Sequence, residues 1–145
     1  MKHSSQKIDP SEPPSPQALL AIARECLPRS YSPYSAFPVA AAVVDDDGRI
    51  FTGVNVENAS YGLTMCAERV AIFNAIAAGA KKLRALALTS DSSRAVMPCG
   101  ACRQVLAEFG EMAVESWGTG GAVARWSVAE LLPGQFELPG RERAS

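Results

Sequence analysis

The 145-residue chain has a single histidine, His3, set in a stretch rich in Ser and Pro, so imidazole is a poor candidate for any metal ligand in the folded part. It has no surplus of positive charge: 14 Lys and Arg stand against 15 Asp and Glu, spread along the chain, for a net charge of −1. The strong positive field that a phosphate-backbone binder needs is therefore missing, which argues against nucleic acid and for a small or neutral ligand. No apolar run reaches the length of a signal peptide or a membrane span, so no membrane association is expected and the reading is a cytoplasmic protein. Cysteines are few, at four, and a reducing cytosol disfavours disulfides, so these are read as metal ligands or free thiols.

What is present suits one ordinary domain. Hydrophobic residues make up 48 % of the chain and charged ones 20 %, enough for a core that folds without staples. Residues 1–15 read as a flexible lead-in, 16–138 as the single folded domain and 139–145, with Arg141 and Arg143, as a loose charged tail. Ser15 and Pro16 look like the cap and first position of a helix whose apolar stripe runs through Leu19, Leu20, Ile22, Ala23, Cys26 and Leu27. A hairpin is expected from Pro38 to Val54, with its turn at Asp45 to Gly48. A helix over Cys66–Gly79, a strand over Leu83–Thr89 and a helix over Cys99–Phe109 follow. Strands over Met112–Trp117 and Ala122–Ser127 and a short helix near Val128–Leu132 close the series. That order implies an α/β fold with a mixed sheet and helices on its faces, and no internal repeat.

Chemistry concentrates in two short segments, Cys66-Ala67-Glu68-Arg69 and Pro98-Cys99-Gly100-Ala101-Cys102-Arg103-Gln104, each placed where the chain enters a helix. The positive end of a helix dipole favours the thiolate form that binds zinc. Cys99 and Cys102, three apart, share one side of their helix. Three thiolates would bring a zinc ion to a formal charge of −1, which opposes ionisation of a bound water. Arg69 is placed to donate hydrogen bonds to a cysteine sulfur and offset that excess. Three protein ligands leave a fourth tetrahedral position open to water, as in catalytic zinc sites. Glu68 falls two residues after a ligand, where a carboxyl can reach that water and shuttle protons without binding the metal. Cys26 lies on the apolar face of the first helix and reads as a packing residue. Taken alone, the CxxC reads first as a structural zinc or redox pair; joined to Cys-Ala-Glu and the preceding proline, it matches the signature of zinc deaminases.

On these residues the chain resembles the short, homotetrameric class of cytidine deaminases. The likeness runs from about Tyr31 to Phe136: Tyr31-Ser-Pro-Tyr-Ser-Ala-Phe-Pro-Val39, Gly48-Arg-Ile-Phe-Thr-Gly-Val-Asn-Val-Glu-Asn-Ala-Ser-Tyr61, Cys66-Ala-Glu-Arg69, Pro98-Cys-Gly-Ala-Cys-Arg-Gln-Val105 and Glu130-Leu-Leu-Pro133. The resemblance implies a three-layer α/β/α sandwich around a five-stranded mixed sheet. It further implies one Zn2+ per subunit on Cys66, Cys99 and Cys102, and hydrolysis of cytidine and deoxycytidine to uridine and deoxyuridine with Glu68 moving the protons. By the same likeness Phe37, Asn55, Glu57 and Ala67 contact the nucleoside, with Asn55 and Glu57 on the ribose 3′-hydroxyl. Ala59, Tyr61 and Phe136 fall where the family reaches a neighbouring subunit's site, which implies a homotetramer. Ala40 departs from the pattern, since the family often has glycine there, and its methyl could shift strand packing or narrow the pocket.

Other readings stay open on the residues alone. Asn55 and Glu57 also fit solvated strand-end residues, Phe37 a core aromatic, and Phe136 a tail aromatic over its own core. A related deaminase acting on a nucleoside antibiotic, a nucleotide or a base in RNA would share fold and metal, although Glu57 would repel a phosphate. A binding module braced by zinc would share the cysteines and need no Glu68.

Overall fold

The computed structural model describes residues 14–140. His3, Arg141, Arg143 and most of the expected lead-in and tail lie outside them. Ser15 caps helix α1 (Pro16–Cys26), its side-chain oxygen accepting from the Ala18 N–H at 3.2 Å, and a 3-10 turn at Leu27–Arg29 ends that segment at Pro28. Strands β1 (Val39–Asp45) and β2 (Ile50–Val54) form the hairpin, then come α2 (Ala67–Ala77), β3 (Leu83–Ser90) and α3 (Gly100–Glu108). Strands β4 (Ala113–Trp117) and β5 (Val123–Ser127) and the single turn α4 (Val128–Leu131) complete the order read from periodicity. Ser127 and Glu130 close a capping box on α4.

The five strands make one mixed sheet in the order β2-β1-β3-β4-β5, in which only β3 and β4 run parallel among the described residues. Side chains alternate across it. Ala40, Ala42, Val44 and Ala87 face α1, where they pack with Leu19, Ala23 and Cys26. Ala41, Val43, Leu86, Leu88 and Val114 face the opposite layer, packing with Ala71 and Ile72 of α2 and Leu106 and Ala107 of α3. Helices thus cover both faces, as a three-layer sandwich requires. The methyl of Ala40 is buried in the α1 layer, on the opposite face of the sheet from α2 and α3.

Register decides where the functional end lies. Val39 at the start of β1 pairs with Ser90 at the end of β3, Ala40 pairs with Val54 at the end of β2, and Thr89 pairs with Trp117 at the end of β4. The loops leaving β2 and β3 therefore emerge at the same edge, and each leads straight into the N-terminus of a helix, α2 or α3. In mixed α/β sheets this carboxyl edge of the parallel strands is where ligands bind.

At the far edge the hairpin turn is held by charge. Asp45, 1 % exposed, accepts from the N–H groups of Asp47 (3.0 Å) and Arg49 (2.8 Å) and pairs with Arg49 Nε at 2.8 Å. Arg49 also donates to the carbonyl of Ala78 at the end of α2 and lies over the ring of Phe51. Asp45→Ala strips two amides of their acceptor and should cost about 2–3 kcal/mol. Arg49→Ala, which removes the more exposed partner, should cost about 1 kcal/mol. Urea midpoints of the two variants against wild type check the order.

Candidate functional site

Cys66 and Cys99 occupy the cap positions of α2 and α3, each in extended backbone geometry, and neither sulfur caps its own helix. Both side chains are thereby free to turn toward one another. The sulfurs of Cys66 and Cys99 stand 3.6 Å apart, and with Cys102, in the first turn of α3, all three lie within 4.8 Å of one another. A tetrahedral zinc with bonds near 2.3 Å separates its sulfurs by about 3.8 Å, so this donor set fits the ion as it stands. Among the described residues no other cluster of Cys, His, Asp or Glu has this form. Cys26 is buried on the α1 face of the sheet, away from the cluster.

Crowding of the sulfurs divides their proton affinities. A hydrogen bond from Cys102, helped by Arg69, brings the Cys66 thiol down to about 5. Donating that bond and being buried push Cys102 up. Arg69 Nη2 lies 3.4 Å from the Cys66 sulfur, and this bond raises the guanidinium above its ordinary value. Arg69 Nε is buried with no hydrogen-bond partner. Glu68, on the first turn of α2, is 4 % exposed, and burial lifts its carboxyl to about 7, with the charge on Cys66 adding to the rise. A carboxyl poised near neutrality can take and give protons at the working pH of most cells.

Beside this cluster the segment 30–39 folds against the chain leaving β2. Glu57 accepts from the N–H groups of Tyr34 (2.9 Å) and Ser35 (3.0 Å) and from the Ser35 hydroxyl, and these bonds hold its carboxyl below the usual range. Asn55 is buried: its Oδ1 accepts from Val39 N–H at 2.9 Å and from the Ser30 hydroxyl, while one Nδ2–H goes to the Phe37 carbonyl at 2.8 Å. One amide hydrogen of Asn55 is left. Phe37 is 39 % exposed, following Ala36, whose φ of 54° turns the chain in the left-handed region. An open groove of about 270 Å³ is lined by Tyr34, Ser35, Glu57, Tyr61 and Thr64. The ring of Tyr61 meets that of Tyr34 edge-on at 6.1 Å, while Ala59 is exposed on the loop before it. Phe136 is exposed, and Ala67 is buried at the first position of α2.

The family model for the cytidine and deoxycytidylate deaminase zinc-binding region matches residues 14–116, which include the three cysteines, Glu68 and the groove. The chain belongs to the cytidine deaminase family. It is 45 % identical over 122 residues to the cytidine deaminase of Sporosarcina psychrophila, covering 83 % of this chain and 90 % of that one. It is also 45 % identical over 122 residues to the cytidine deaminase of Halalkalibacterium halodurans, covering 83 % and 92 %. The crystal structure of cytidine deaminase from Burkholderia pseudomallei superposes with a TM-score of 0.80 at 44 % identity, covering 83 % of this chain and 98 % of that one. The architecture expected from the sequence, α/β with a five-stranded mixed sheet, is thus the family's fold, and zinc is its cofactor.

Two holding elements escaped the sequence reading. Tyr34 and Ser35 grip Glu57 through two backbone amides, which any residue type supplies, and through the Ser35 hydroxyl, whose partner lies 22 residues away. Arg103 donates from Nε to the Pro98 carbonyl at 2.8 Å and from Nη1 to the Leu131 carbonyl at 3.0 Å, bracing the residue before Cys99 against α4. The arginine directly after CxxC is the signal in the sequence, but one of its two partners lies 28 residues away.

If the three sulfurs share one ion, elemental analysis should find one zinc per chain in the wild type. Cys102→Ala should lose it, and Cys26→Ala should keep it.

Proposed function

We propose that this protein is a cytidine deaminase in activity as well as family: it hydrolyses cytidine and deoxycytidine to uridine and deoxyuridine, releasing ammonia. The observation that carries the reading is a buried carboxyl, Glu68, lifted to about 7 beside a three-sulfur cluster at paired helix N-termini. Zinc on Cys66, Cys99 and Cys102 would supply the Lewis acidity that makes water nucleophilic at neutral pH. Glu68 accepts a proton from the attacking water as its oxygen bonds to C4 of the pyrimidine and passes it to N3; it then takes the proton of the new C4 hydroxyl and passes it to the amine, as the C4–N bond breaks and the C4 carbonyl forms. One carboxyl alternating between base and acid is what a value near neutrality permits. Arg69 draws charge from the Cys66 sulfur, keeping the centre electrophilic.

Glu57 and the remaining amide hydrogen of Asn55 take the ribose 3′-hydroxyl, one accepting and one donating. The ring of Phe37 lines the base, and Ala67 contacts it beside Glu68. Glu57 also sets the substrate class, because a fixed negative charge in the groove disfavours a phosphate. The working unit is a homotetramer in which Ala59, Tyr61 and Phe136 reach a neighbour's site. Tyr61 (76 % exposed), Leu63 (67 %) and Phe136 (69 %) support this, as large apolar groups one chain leaves uncovered. No helix among the described residues is long and apolar enough to cross a membrane, and the product suits salvage of pyrimidines in the cytoplasm.

Incubating the protein with cytidine and following the ultraviolet change to uridine tests the activity. Glu68→Gln should lower kcat by about a thousandfold with zinc and fold retained. A zinc-braced binding module would show no turnover in either protein.

Glu57→Gln should raise KM by about tenfold. Because the Glu57 carboxyl is held below its ordinary 4.5, its charge persists as pH falls to that value and is lost only beneath it. The KM for cytidine should therefore stay flat from about pH 8 down to about pH 5.

A further inference from the structure

Gly53, in β2, lies directly under the first turn of α2. A Cβ built there would stand 2.3 Å from the Ala71 nitrogen, 2.5 Å from the Ala67 carbonyl oxygen and 2.9 Å from the Val70 carbonyl carbon. Ala67 O and Ala71 N are the acceptor and donor that helical geometry pairs in that turn. All three neighbours are backbone, so no side-chain rotation makes room. Strand and helix can approach this closely only where the strand has no side chain. The same turn of α2 begins at the Cys66 cap position and carries Glu68, while the chain leaving β2 reaches Asn55 and Glu57 within four residues of Gly53.

A second contact of this kind is made with the segment that leads to the other half of the cluster. A Cβ on Gly118, just past β4, would stand 2.3 Å from the Ser93 carbonyl oxygen and 2.8 Å from the Arg94 carbonyl carbon. Ser93 and Arg94 belong to the segment that leads from β3 to Pro98 and Cys99. That segment is pinned beside Gly118 by the Thr119 N–H, which donates to the Ser92 carbonyl at 2.9 Å. Its other end is held by the Arg103 bond to Pro98. Gly118 is buried, whereas Gly120, two residues on, would place its Cβ no closer than 3.8 Å to the same carbonyl.

We propose that Gly53 and Gly118 are positioning residues of the metal centre: bare backbone at each sets the height of one half, Cys66 with Glu68 on one side and Cys99 on the other. This rests on the reading that the three cysteines hold zinc. An added methyl at Gly53 lifts the first turn of α2 off β2 and so changes the spacing between the carboxyl and the ribose-side groups. At Gly118 it pushes the Ser93 carbonyl and shifts the approach to Cys99.

The test is zinc affinity by equilibrium chelator competition, with kcat and KM for cytidine, in Gly53→Ala, Gly118→Ala and the control Gly120→Ala, all read well below their melting temperatures. Each seat variant should lose about tenfold or more in zinc affinity, as supporting groups of metal sites do, and about tenfold or more in kcat, with KM within about threefold. Gly120→Ala should match wild type. A folded seat variant that melts lower yet keeps wild-type zinc affinity and kcat shows a merely structural role and overturns the proposal. Should Gly53→Ala fail to fold, Gly118→Ala decides by the same criteria. A wild-type protein that takes up no zinc would sink the ligand reading instead, a result distinct from unchanged variants.

Discussion

Three sulfurs within 4.8 Å of one another cannot all carry charge in a low-dielectric setting unless something positive stands among them. The sulfurs divide their proton affinities, Cys66 held low by the hydrogen bond from Cys102 and Cys102 raised by giving it. Two helix N-termini and one arginine supply fixed positive potential around the cluster, and each is anchored by packing elsewhere. The α2 and α3 helices lie on one face of the sheet through Ala71, Ile72, Leu106 and Ala107, so the sulfurs meet because two apolar faces are buried side by side. The cost of concentrating charge is met by hydrophobic burial some distance from it.

The sheet contributes thinness as well as support. Three consecutive alanines, Ala40 to Ala42, occupy the strand that is covered on both faces, and helices can seat low where side chains are a single methyl. The carboxyl edge then gathers what the chemistry needs: the loop after β2 brings the groove, and the loop after β3 brings the CxxC. Glu57, on the first of these, is gripped from the segment before β1, which ties the groove to the hairpin.

Much of this was legible in the residues. Element order followed from periodicity and caps, with Ser15 and the cysteines at helix entries marking boundaries that the structure reproduces within a residue or two. The cluster was legible because Cys66, Cys99 and Cys102 are chemically distinctive and their spacing relates them to helix starts. Less legible was anything carried by the main chain. Two of the three donors that grip Glu57 are amides, and the closeness of β2 to α2 depends on Gly53, a residue that looks from sequence like a weak point in a strand. Sheet order required pairing β1 with β3 across some 40 residues, which local pattern does not encode. Asn55 illustrates a mixed case: resemblance marks it as a ribose contact, while in the structure it is the clamp that fastens Val39 and Phe37.

Cys66 occupies the cap position of the helix that carries Glu68, with two peptide links between them. Their separation is therefore set by covalent geometry and one helical turn, and motion of the surrounding loops carries both together. Fraying of that turn would release ligand and acid at once.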